Sequence, residues 1–138
     1  MIWFLGRVGA ESDDGWRKFV IPFIREAWPN ERRYRTIGTN GAWLWLLCDT
    51  GDAFPDVLNA VRKHLGAIDG HRALLDRMKP LGKRFPRQTL DLLDRVVPDE
   101  VGVVPYGLST VLDLLIEVEP ALTGDIRYSR LHRLAARE

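Results

Sequence analysis

The sequence predicts an all-α protein of about seven helices, stacked as antiparallel pairs in a short α-solenoid over a single domain, residues 1–138. Three observations lead there. Apolar residues recur at helical spacing along most of the chain. No pair of alternating apolar and polar runs marks a hairpin of strands. A pattern of turn, aromatic residue, proline and apolar stripe also occurs twice, 31 residues apart. Its first copy is Gly51-Asp52-Ala53-Phe54-Pro55, leading into Leu58, Val61 and Leu65. Its second is Gly82-Lys83-Arg84-Phe85-Pro86, leading into Thr89, Leu92 and Val96. Units recurring every ~20 to 50 residues read as helical pairs whose neighbours bury each other's apolar faces.

After Asp13-Asp14-Gly15, residues Trp16, Phe19, Val20, Phe23 and Ala27 mark one face of a first helix, which Pro22 kinks or restarts. Pro29-Asn30 ends it, and residues 30–38 form a polar connector carrying Arg32, Arg33 and Arg35. Thr39 or Asn40 caps a helix through Ala42–Cys48 that is apolar on every side and therefore central and buried. A buried strand is the rival reading of that run, but its alanine and leucines favour helix. Phe54 to about Leu65 forms the clearest helix, with Pro55 where its missing N–H costs nothing and Gly66 as its stop.

A fourth helix spans about Gly70 to Lys79, broken by Pro80 and Gly82. The fifth covers Pro86 to Val97 and buries Leu90, Leu92, Leu93 and Val96. Residues 98–106 are the longest irregular connection, with Val101 to Val104 in extended form. The sixth helix covers about Leu108 to Val118 and is stopped by Pro120. Thr123-Gly124-Asp125 then caps a last helix carrying Tyr128, Leu131, Leu134 and Ala135.

Composition narrows the function. Hydrophobic residues are 46% and charged ones 28%, a globular balance that argues against disorder. The 20 basic and 19 acidic side chains leave a formal charge of +1, whereas a dedicated nucleic-acid binder carries a clear basic excess. The lone Cys48 has no disulfide partner and sits in an apolar run, so it reads as a small buried hydrophobe in a reducing, cytoplasmic setting. Ile2-Trp3-Phe4-Leu5 is too short for a signal peptide or a membrane span. It packs on this domain or on a segment that preceded it, and the second case would make the chain the C-terminal part of a larger protein.

No catalytic set emerges, so the chain reads as a non-enzyme without cofactor or metal. His64, His71 and His132 match no metal-ligand spacing and read as surface side chains. Cys48 lies in the wrong environment for a nucleophile, and no Gly-x-Ser-x-Gly elbow is present. Gly38-Thr39-Asn40-Gly41 lacks the lysine of a phosphate loop and reads as a helix cap. Asp91 and Asp94 share one helix surface, where Arg87 and Arg95 flank them in an exposed ion-pair lattice.

Two basic groups stand out. Arg127, Arg130, Arg133 and Arg137 recur along the last helix beside Tyr128, and Lys79, Lys83, Arg84 and Arg87 surround the turn before the fifth. Such groups either grip phosphates or are solvated helix faces.

The helical pairs and Phe-Pro turns over residues 40–120 resemble α-solenoids of the HEAT or armadillo kind. A narrower resemblance lies in Phe23-Ile24-Arg25-Glu26-Ala27-Trp28-Pro29, Gly51-Asp52-Ala53-Phe54-Pro55 and Phe85-Pro86-Arg87-Gln88-Thr89-Leu90-Asp91-Leu92-Leu93. These segments are similar to C-terminal helical regions of large bacterial proteins of the anti-phage defence type. That resemblance implies partner recognition or sensing, with chemistry carried upstream.

The reading is therefore a non-catalytic helical-repeat module binding a protein, an upstream domain of its own parent chain, or a second copy. Trp3, Phe4 and Trp16 are its candidate contact residues. The alternative is a nucleic-acid contact domain using Lys79, Lys83, Arg84, Arg87, Arg127, Arg130 and Arg133. No membrane partner is expected.

Overall fold

The structure, a computed structural model, describes Lys18, Pro22, Phe23, Leu44, Val104 and residues 46–65, 72–97 and 106–137. Among these residues every regular element is helical. The chain divides into two compact units, Met1–Gly66 and Ala67–Glu138. The helix expected around Trp16 lies mostly outside the described residues, of which Pro22 and Phe23 are helical.

In the first unit, Leu44, Leu46, Leu47 and Cys48 are helical and no more than 7% exposed. Such a run is helix, not strand, and its buried side chains point in several directions around the axis. The buried Thr50 hydroxyl donates to the Leu47 carbonyl at 2.7 Å, satisfying one carbonyl at the helix end. The chain then turns through Gly51 at φ +59°, where a side chain would be strained, and a 3-10 turn Gly51–Ala53 follows. Helix α1 spans Phe54–Val61 and buries Phe54, Val57, Leu58 and Val61, one stripe at helical spacing. Its last turn tightens into a 3-10 segment Arg62–His64, and Leu65 is extended rather than helical.

Among the described residues the second unit holds four helices. Helix α2 spans Arg72–Arg84 and contains Pro80 and Gly82, so the break expected at those residues does not occur. Leu75, Met78 and Leu81 are buried on one stripe that continues past the proline, while Pro80 itself is exposed. The N–H that Pro80 lacks would have bonded the Asp76 carbonyl on the wet side, where water can replace it. Burial of the stripe offsets a penalty of about 3 kcal/mol. The real break comes one proline later. Phe85 precedes Pro86 and takes φ −133°, ψ 66°, which ends α2 and starts helix α3, Pro86–Val96.

Helix α3 buries Leu90, Leu92, Leu93 and Val96, together with Thr89, whose Oγ1 has no hydrogen-bond partner. Helix α4, Leu108–Val118, buries Leu108, Val111, Leu112 and Leu115. Pro120 holds Glu119 out of the helical region and opens a 3-10 turn, Pro120–Gly124, anchored by buried Leu122. Helix α5, Ile126–Ala135, starts at Asp125, whose carboxylate accepts the Arg127 backbone N–H at 2.8 Å.

Helix α2 packs on α3 and α4, α3 packs also on α4 and α5, and α4 packs on α5, while contact between α2 and α5 is marginal at most. Helices α2 and α4 come close at Gly82, where a Cβ would lie 2.8 Å from Leu115 Cδ2 and 3.9 Å from Thr89 Cγ2. The two copies of the sequence pattern are therefore not equivalent. Gly51 serves a left-handed turn with open space around it, whereas Gly82 is a helical residue that lets α2 approach α4.

Replacing each glycine by asparagine separates these roles. Gly51→Asn loses no more than about 1 kcal/mol, because asparagine tolerates the left-handed region. Gly82→Asn loses at least ~2 kcal/mol by overpacking and by burying an amide. Urea denaturation followed by circular dichroism reads the difference, and equal losses would contradict the assignment.

Candidate functional site

The most organised polar cluster joins α3 to α5. Arg127 lies at the start of α5 and grips Asp125 through Nε and Nη2 at 3.1 and 2.8 Å, while its Nη1 reaches Asp91 on α3 at 3.2 Å. One turn on, Arg130 donates from Nε to Asp94 Oδ1 and from Nη2 to the backbone carbonyls of Asp94 and Val97, each at 2.9 Å. Both cross-helix pairs join residues 36 apart in sequence. Equal offsets at two successive positions mean that α3 and α5 run in the same direction. Arg130 also satisfies carbonyls at the C-terminus of α3, where a positive charge is favoured.

The lattice expected among Arg87, Asp91, Asp94 and Arg95 forms in part, through the Arg95–Asp91 pair. Arg87 instead reaches across to Glu119 at 2.6 Å, and Arg95 stands 3.9 Å from Asp91. The carboxylates are half-buried and taken by the longer reach from α5, where the guanidiniums lie against the helix they contact.

The electrostatics follow the contacts. The Asp125 carboxyl is held below the usual carboxylate range, chiefly by the side-chain hydrogen bond from Arg127, against some desolvation. Arg127 is correspondingly raised by Asp125. Burial pushes the Tyr128 hydroxyl up, helped by the charge of Asp113 on α4. The Tyr128 ring stacks on His132 with centroids 5.5 Å apart.

The expected basic groups are placed as follows. Of the stripe on the last helix, Arg127 and Arg130 are committed to carboxylates, whereas Arg133 and Arg137 are exposed. Of the other group, Lys79 pairs with Asp76 at 2.9 Å, Arg84 lies over the Phe85 ring at 5.1 Å, and Arg87 holds Glu119. Lys83 is exposed. Arg87 is at the N-terminal end of α3 and Arg130 contacts its C-terminal end, while Arg127 reaches Asp91, one turn from Arg87, so the two groups adjoin along that helix. Trp3, Phe4 and Trp16 lie outside the described residues. Asp125 and Glu119 escaped the sequence reading as ion partners. A signal for the ladder was present, since Asp91/Asp94 and Arg127/Arg130 are opposite charges with the same spacing.

Among the described residues no cluster of His, Cys, Asp or Glu is placed to hold a metal ion, and no helix is long and apolar enough to cross a membrane. No protein-family model matches the chain, and comparison with curated proteins and with solved structures gives no match either.

The cluster makes two predictions. Arg130→Ala loses about 1.5–3 kcal/mol, because it deletes charged hydrogen bonds and strands Asp94, while Arg133→Ala stays within about 0.5 kcal/mol. Chemical denaturation of the two variants compares them directly. The second concerns acid. A carboxyl lowered by folding adds stability above its unfolded value, about 3.9, and loses it as pH falls through the folded value. Wild type is therefore more stable than Asp125→Asn by ~0.5–1 kcal/mol at pH 7. The gap closes below about pH 4. A gap unchanged down to about pH 2 would exclude the ion pair as its cause.

Proposed function

We propose that this chain is a non-catalytic helical-repeat module that binds another protein, or an upstream domain of its own parent chain. The observation that carries the reading is the packing order of the second unit. The α2–α3 hairpin lies against the α4–α5 hairpin, with α2 on α4 and α3 on α5, and α3 and α5 parallel at a constant offset. In a closed up-and-down bundle the first and last helices would be neighbours, yet α2 and α5 share at most marginal contact. That order supports an open, HEAT-like stack of hairpins, an architecture whose extended faces serve recognition.

On this reading Trp3, Phe4 and Trp16 form the contact set, since aromatic side chains dominate interface hot spots. A cytoplasmic setting accords with the buried Cys48 thiol. The similarity to helical tails of bacterial anti-phage defence proteins makes sensing within such a system the natural context. The nucleic-acid reading draws less support. Four of its seven residues, Lys79, Arg87, Arg127 and Arg130, are paired with carboxylates inside the chain.

The test is capture of a partner by the immobilised chain, compared with Trp3→Ser/Phe4→Ser/Trp16→Ser. A loss of retained partner of tenfold or more, ~1.4 kcal/mol in affinity, with unchanged thermal melting, is the expected result. A chain that retains no protein but shifts RNA or DNA at about 50 mM salt, steeply weaker at higher salt, would favour the alternative.

A further inference from the structure

We draw no further inference here: the strongest candidate, the exposed apolar surface patch of Val118 and Ile126 at the turn end of the α4–α5 hairpin, carries nothing because nothing in the structure shows what covers it.

Discussion

Mutual burial of short amphipathic helices is the constraint from which the rest of this structure follows. The bounded helices have 8 to 13 residues, at or below the length of about 12–15 residues at which an isolated helix is marginal in water. Each therefore persists because it lays one apolar stripe against a neighbour. Leu90, Leu92, Leu93 and Val96 on α3, with Leu108, Val111, Leu112 and Leu115 on α4, are fully buried. Each such side chain contributes roughly 1.5–3 kcal/mol, which exceeds the ~0–1 kcal/mol of a surface ion pair. Burial supplies the energy, and the polar contacts choose among the ways of burying.

That division explains where the sequence departs from simple rules. Gly82 has poor helix propensity, yet it is helical because close approach of α2 to α4 needs the missing side chain. Pro80 is carried inside α2 because the stripe through Leu75, Met78 and Leu81 continues beyond it. The buried Thr89 hydroxyl, without a partner, sits beside the same contact. Its desolvation is tolerated where three helices meet.

Features that depend on neighbours in sequence could be read from the sequence. The bounds of α4, the Asp125 cap and the proline start of α3 all follow from local rules for stripes, caps and prolines. The recurring Phe-Pro pattern also placed both prolines in a first helical turn, but it misjudged the glycines. Whether a glycine serves a turn or a close approach is decided by what lies opposite it in space. The arginine stripe shows the same limit. Local spacing groups Arg127, Arg130 and Arg133 on one face, whereas the fold spends the first two on Asp91 and Asp94, 36 residues away. The aromatic contact set Trp3, Phe4 and Trp16 is a sequence reading alone.

The equal spacing within the Asp91/Asp94 and Arg127/Arg130 pairs has an ambiguity built into it. If α5 slid by one step along α3, Arg127 would meet Asp94 and one bridge of the two would survive, so the bridges by themselves cannot separate the two alignments by more than one ion pair, about 0–1 kcal/mol. The carbonyls of Asp94 and Val97 can, because the second arginine finds them only where α3 comes to its end. A helix terminus, usually treated as a weakness to be covered, thus acts as the stop against which the neighbouring rod is measured.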